Sequence, residues 1–277
     1  IFIVQKMMSR VILYAPNVHS GGGLVLLKSL IEAWPARLPL YAYFDCRVSE
    51  LLEIPEGARI IWVKPSLYSR LKAEISLSRD ALDGDIVFFK NSLPPLFRCR
   101  GKVIVFMQNR NFFEPLSLQD FTLKQALRIM AERWWCDTLR KRVDEYIVQT
   151  ESLKRAFQNW YRRNEQDALP AVTVLPFTQD NVVNDSLLVE SCDKQYDFIY
   201  VADGLAQKNH IMLFRAWEDL AKQNIFPSLA VTLGAGEKLL ISKVNELQHA
   251  GLRITNLGEL PHENIMRKYQ ECRALIY

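Results

Sequence analysis

Val11-Ile12-Leu13-Tyr14, then Ser20-Gly21-Gly22-Gly23, then Leu24 to Ala33 decide how this chain is read. A strand-sized apolar run enters a glycine-rich turn, and the turn opens directly into a helix-forming segment. Further β-rich runs follow at Leu40 to Phe44, Arg59 to Val63, Asp85 to Phe89, Lys102 to Phe106, Glu145 to Val148 and Ala171 to Leu175, with helical stretches between them. Strands that alternate with helices imply a parallel sheet covered by helices. Leu123, Leu127, Met130 and Trp134 recur at helical spacing, which predicts one apolar face packed on that sheet.

Beyond Pro176-Phe177 the composition turns polar, and 178–195 reads as a linker between an N-terminal domain (1–177) and a second α/β unit (196–277). In the second unit Asp197 to Val201, Leu229 to Leu233 and Arg253 to Asn256 read as strands. Asn209 to Gln223 and Glu237 to His249 read as helices. A further helix running to Cys272, with Pro261 in its first turn, leads into Arg273 to Tyr277, a strand with nothing after it. The second unit holds about half the βα repeats of the first, so the expectation is a second domain cut short.

The chain has 277 residues, 49% of them hydrophobic and 24% charged, a composition that can bury two cores and is not that of a disordered segment. The formal charge of +4 is compatible with an anionic small molecule or a negative bilayer surface, and falls short of a nucleic-acid footprint. Five scattered cysteines without a CxxC pair suggest neither a disulfide framework nor a zinc site, and a reducing cytosol fits best. The longest apolar runs are strand-sized, so no membrane span is expected. Ile1 to Val4 before Met7-Met8 is too short for a signal peptide, and Met8 is the candidate start.

Two turns can carry chemistry. The glycines Gly21, Gly22 and Gly23 permit close backbone approach, and the free N–H groups and dipole of the helix behind them favour a phosphate; the same run also serves a tight turn. Asp45 ends the second run where a ribose-binding acid would sit. The dinucleotide fingerprint fails all the same, because Leu26 stands where its third glycine belongs. Gly234-Ala235-Gly236-Glu237-Lys238 lacks the Walker spacing. The second turn is Asp203-Gly204 running to Lys208-Asn209-His210. A lysine at a helix N-terminus opposes the dipole, and an anionic ligand would justify it; a solvated lysine is the plainer reading. His262-Glu263 lacks the second histidine of a zinc motif because Met266 stands there, so no metal is expected. His19 beside the glycine turn is a substrate candidate or a turn histidine bonded to backbone. Arg128, Arg133, Arg140, Lys141, Arg142, Lys154, Arg155, Arg162 and Arg163, with Trp134, Trp135 and Trp160 among them, read as solvated helix faces or as a surface for acidic lipids.

Phe198-Ile199-Tyr200-Val201, Lys208-Asn209-His210, Leu213, Ala216-Trp217, Leu229 to Gly234, Leu257-Gly258-Glu259-Leu260 and Tyr269 together resemble the donor domain of group 1 (family 4) glycosyltransferases. The glycine turn, Lys102 to Met107 with Gln108-Asn109-Arg110, and Val148 to Ser152 resemble its acceptor domain. The resemblance implies a GT-B architecture, two Rossmann-like domains with parallel sheets facing across a cleft, the second incomplete here. It further implies a retaining, metal-independent transferase without a cofactor that moves a sugar from a nucleoside diphosphate sugar to a glycan or lipid-linked acceptor, as in bacterial surface polysaccharide (lipopolysaccharide) synthesis. That protein would be cytoplasmic or at the inner face of the cell membrane, and this shortened chain inactive.

The implied donor contacts are Gly21, Gly22, Gly23, Gly204, Lys208, Asn209, Gly234, Gly258 and Leu260, with Lys208 and Arg110 as catalytic cations. His19, Gln108, Asn109 and Arg110 stand on the acceptor side. Asp203 replaces the family's frequent arginine, and Gln108 replaces a frequent histidine and cannot act as a base. The paired-glutamate motif would lie beyond Tyr277. A non-catalytic sugar-nucleotide or glycan-binding module and a Rossmann oxidoreductase are the alternatives.

Overall fold

The computed structural model describes residues 10–114, 123–163, 168–176, 194–205 and 208–276, and of His262 and Glu263 the backbone alone. Most of the expected linker, the candidate start at Met8, Cys192, Tyr277 and the His262-Glu263 side chains lie outside the described residues. The chain divides into two compact units, Ile1–Gln179 and Asp180–Tyr277.

In the first unit the order is β1 (Val11–Ala15), α1 (Gly21–Glu32), β2 (Leu40–Asp45), β3 (Arg59–Val63), α2 (Leu67–Asp80), β4 (Ile86–Phe89), β5 (Lys102–Phe106), α3 (Leu123–Leu139), β6 (Glu145–Val148), α4 (Glu151–Tyr161) and β7 (Ala171–Val174). The strands form one parallel sheet in the order β3-β2-β1-β4-β5-β6-β7. Each run read as a strand forms one, because a sheet covered on both faces accepts near-continuous apolar sequence. β2 is buried at all six positions. Its alternation still sorts side chains by face: Tyr41 and Tyr43 join Ile12 and Tyr14 in one core, while Ala42 and Phe44 join Leu13 and Ala15 in the other.

The second unit repeats the scheme with β8 (Tyr196–Tyr200), α5 (His210–Lys222), β9 (Leu229–Val231), α6 (Lys238–His249), β10 (Ile254–Asn256), α7 (His262–Gln270) and β11 (Cys272–Ile276). Its parallel sheet runs β10-β9-β8-β11, so the last strand pairs with the first. Phe214 and Trp217 of α5 and Val244 and Leu247 of α6 close its main core. Trp217 stands edge-on to Phe198 at 5.6 Å and donates its indole N–H to Pro227 O at 2.9 Å.

Three expectations are corrected. Leu123, Leu127, Met130 and Trp134 do not face the sheet; they are 77%, 57%, 53% and 71% exposed, and α3 buries Ile129 and Cys136 instead. Periodicity locates an apolar stripe without saying what covers it, and the shorter opposite stripe won the core. Arg140 and Trp160 are not on a solvated face either. Arg140 is 3% exposed, lies over the rings of Trp160 (5.5 Å) and Tyr161 (4.9 Å), and pairs with Asp137 at 3.0 Å. A guanidinium is weakly enough hydrated to be buried between aromatic faces when a carboxylate is also at hand. Finally, α1 starts at Gly21 rather than Leu24, so the glycines form its first turn.

Two closely packed points tie the first sheet to its surroundings. Gly101, at φ +83°, turns the chain into β5, and a Cβ there would lie 2.4 Å from the Asp85 carbonyl oxygen. Glu74 of α2 is 4% exposed and accepts the Leu96 N–H at 3.1 Å. Burial raises its pKa to about 7, and the bonds from Leu96 and Tyr14 together with the charge of Arg142 offset only part of that rise.

Gly101→Ala should therefore lose more than about 2 kcal/mol in a denaturant melt, since the left-handed backbone and the backbone clash act together. Because the folded-state pKa of Glu74 lies above its unfolded value, its contribution is fully present below about 4.5 and is lost as pH rises to about 7. Over that window the loss amounts to roughly 3 kcal/mol. Chemical denaturation from pH 4 to 8 should show this fall in the wild type and a flattened profile in Glu74→Gln.

Candidate functional site

In a parallel sheet built outward from an internal strand, the loops at the strand C-termini part where the strand order reverses, and ligands bind in that crevice. In the first unit the chain goes from β1 to β2 and β3 on one side, then returns to β4 through β7 on the other, so the reversal lies between β1 and β4. In the second unit it lies between β8 and β11. The glycine turn follows β1, and Asp203 to Leu205 with Lys208 and Asn209 follow β8. Each unit thus carries its sequence-predicted loop at its own reversal.

At the first reversal Ser20 is extended (φ −158°) and makes no side-chain cap, and α1 has no acidic residue in its first turn. Leu24 N–H is the first to reach back, to Ser20 O at 3.4 Å. The N–H groups of Gly21, Gly22 and Gly23 are the free donors of a helix start, and no charge there neutralises the dipole. Gly21 sits at φ +59°, where glycine is needed for the backbone alone. Gly22 and Gly23 need no such licence. A Cβ on Gly22 would meet nothing within 4 Å, and one on Gly23 would make ordinary contact with Val18 at 3.6 Å. Helical glycine costs about 1 kcal/mol against alanine. Packing does not require these two, and open approach to their N–H groups is what they provide.

Lys90, which the sequence reading passed over, lies on the other side of the same reversal. It follows β4, its N–H donates to Tyr14 O at 2.9 Å, and its side chain is 1% exposed. The ammonium donates to the Gly23 carbonyl at 2.9 Å and stands 6.0 Å from the centre of the Phe106 ring. Burial lowers its pKa to about 8, with no charged group acting on it among the described residues. A lone lysine at the end of an apolar run offers no pattern by which to find it.

The remaining first-unit candidates are engaged locally. His19 is exposed, with Nδ1 3.1 Å from Asn17 O, the turn arrangement. Gln108 donates its N–H to Ser92 Oγ at 3.1 Å, and Asn109 caps the following turn by accepting from Asn111 N–H at 3.0 Å. Arg110 pairs with Glu114 at 2.8 Å and reaches Ser152 Oγ at 3.3 Å, which leaves it half-exposed with its charge already matched. Asp45 is fully buried and held by Arg47 at 2.6 Å. Burial would raise its pKa, but the bonds from Arg47 outweigh that and hold it below the usual carboxylate value, so the candidate ribose acid is occupied within the chain.

In the second unit the Tyr200 hydroxyl donates to Lys208 O at 2.6 Å, fixing the loop, and Asn209 takes the left-handed conformation (φ 51°) that turns it into α5. Lys208 itself is exposed, as is Asp203. His210 opens α5 fully inside, 2% exposed between Tyr200 (5.0 Å) and Phe214 (6.2 Å), with neither ring nitrogen hydrogen-bonded, and burial lowers its pKa. Two carboxylates that the sequence reading did not select stand beside the predicted glycines. Glu237 lies over Gly204, where a Cβ would be 2.2 Å from its Oε2, and Glu259 lies 3.5 Å from the Cβ direction of Gly234. A carboxylate in that place repels phosphate and accepts from hydroxyls, so Gly204 meets a phosphate only when the Glu237 side chain swings aside. Gly258 turns at φ +74° with its N–H on Asn256 Oδ1 at 3.1 Å, and Leu260 follows it, partly buried.

One further concavity, of about 540 Å³, lies in the first unit between α3 and α4 and is lined by Phe113, Arg133, Trp134, Asp137, Trp160 and Arg163, among others. Burial and the neighbouring charge of Arg163 lower the pKa of Arg133, which donates to the carbonyls of Asn111 (2.6 Å) and Glu114.

No family model and no curated protein matches the sequence. Solved structures do. HepE of Anabaena in complex with UDP and glucose superposes with a TM-score of 0.59 at 15% identity, over 96% of this chain and 73% of that one. A UDP-N-acetylglucosamine 2-epimerase from Rickettsia bellii gives 0.55 at 13% identity, over 97% and 73%. The pneumococcal O-GlcNAc transferase GtfA, in complex with UDP and GlcNAc, gives 0.53 at 15%, over 75% of this chain and 39% of that one. The chain therefore spans about two fifths of GtfA and about three quarters of the other two. At such identities the likeness is one of fold: this chain has the α/β fold of the GT-B enzymes, two parallel-sheet units each built like a Rossmann domain.

Proposed function

We propose that the chain belongs to a glycosyltransferase that takes its sugar from a nucleoside diphosphate sugar. The observation that carries the reading is the first turn of α1: three glycine N–H groups, no acid, and open space at Gly22, all at the strand-order reversal. A fold shared with proteins described as bound to UDP supports it. In this reading the glycine N–H groups are the diphosphate-binding element of the first unit and Lys208 that of the second, and each serves catalysis to the extent that its hold grows as charge develops on the leaving oxygen. With Arg110 paired and Gln108 unable to take a proton, the departing phosphate is the natural proton acceptor, which goes with retention at the anomeric carbon and no metal. We assign the acceptor to the glycan class, in surface polysaccharide synthesis. Likeness to the epimerase favours a second reading, rearrangement at a sugar carbon of the same donor class, in which Glu237 or Glu259 would move the proton.

Calorimetric titration with UDP and GDP should give binding by at least one of them. Lys208→Ala should weaken it by about tenfold, or 1.4 kcal/mol. Gly22→Leu should abolish it without lowering the melting temperature, since the new side chain enters free space. Binding unaffected by both changes would falsify the site. NMR of a UDP-sugar incubated with the protein separates the readings, since transfer or hydrolysis releases UDP while epimerisation leaves it attached.

Contact with an anionic membrane face belongs to the same proposal, supported by the exposed Leu123, Leu127, Met130 and Trp134 on α3 beside the arginine-lined hollow. Vesicles containing anionic lipid should sediment the chain and neutral vesicles should not. Trp134→Ser with Leu127→Ser should release it.

A further inference from the structure

We infer that Lys90 is the positioning residue for anion binding at the first turn of α1, its ammonium supplying the fixed positive charge that turns three glycine N–H groups into a diphosphate site. The inference rests on the reading above and adds a residue from the opposite strand of the reversal.

Lys90 stands where the apolar run Ile86 to Phe89 would ordinarily continue with a leucine or methionine. Its N–H extends the sheet ladder to Tyr14 O at 2.9 Å, which directs the side chain inward to α1. There the ammonium is 1% exposed and donates to Gly23 O at 2.9 Å. The Phe106 ring on β5 faces it at 6.0 Å, and no charged group acts on it among the described residues. Burying a charge without a counter-charge costs stability. Placing it beside the positive end of a helix adds to that cost. A neutral donor would hold the Gly23 carbonyl equally well, so the hydrogen bond does not explain the charge. An anion does: bound on the N–H groups of Gly21, Gly22 and Gly23, it would offset the ammonium and the helix dipole together, and the open Cβ direction of Gly22 leaves room for it. The Gly23 carbonyl also fixes the ammonium relative to the turn, so the charge is in place before the ligand arrives.

The test titrates the full chain with inorganic pyrophosphate and with UDP, as wild type, Lys90→Met, Lys90→Gln and Lys90→Arg, with ligand-free thermal melts of each. Lys90→Met and Lys90→Gln should melt at or above the wild-type temperature and bind both ligands at least tenfold more weakly. Lys90→Arg should stay within a few-fold of wild type. Restoration of wild-type affinity by Lys90→Gln would reduce Lys90 to a hydrogen-bond donor and overturn the inference. So would unchanged affinity in all three variants, or a large drop in melting temperature of the Met and Gln variants with binding intact. Wild-type binding of UDP that ignores Lys90 overturns this inference and leaves the proposed function standing. Charge-dependent binding of pyrophosphate without UDP binding does the reverse, and no binding of either overturns both.

Discussion

Parallel strands impose a return trip: after each strand the chain must cross a face of the sheet before the next can pair alongside, so every strand ends at the same edge. Both units obey this, and from it follows the placement of everything chemical in them. β1 and β4 are distant in sequence yet neighbours in the sheet, and their exits diverge because the chain builds outward from β1 in both directions. The glycine turn and Lys90 are therefore brought together by topology rather than by sequence proximity. In the second unit the same logic sets Asp203 to Leu205, and Lys208 and Asn209, after the β8 exit. Tyr200, at the end of that strand, ties the loop down through its hydroxyl.

The electrostatics of the two reversals differ in sign. In the first unit the helix start and a buried ammonium stand without a carboxylate among the described residues. In the second, Glu237 and Glu259 lie against Gly204 and Gly234, so that edge is suited to groups that donate hydrogen bonds. The GT-B fold itself is shared by transferases and an epimerase.

Every strand of the first sheet was readable from apolar runs: inner strands such as β2 are buried on both faces and leave a continuous signal, and the half-exposed edge strands β3 and β7 keep enough apolar and β-branched residues to stand out. The glycine turn was readable for a similar reason, as glycine is rare enough to mark a backbone demand. Failures occurred where a residue's meaning depends on what lies across from it. The stripe Leu123, Leu127, Met130 and Trp134 has the spacing of a buried face and is exposed, while Arg140 sits in a run of bases and is buried against Trp160 and Tyr161. Lys90 and Glu237 matter through partners 67 and 33 positions away, Gly23 and Gly204, and neither partner is marked in the local pattern. Asp45 looked available from sequence because its role as a cap, accepting from the N–H and guanidinium of Arg47 two residues on, shows only once the turn after β2 is formed.

The core of the second unit is closed by Trp217, packed edge-on to Phe198 with its indole N–H on Pro227 O. It is the only one of the chain's six tryptophans that falls after residue 179. The second unit consequently carries a private spectroscopic label. In a chain grown on fluorotryptophan, one fluorine resonance reports that unit and five report the other, so whether the two halves melt as one cooperative block or in succession is readable from a single sample.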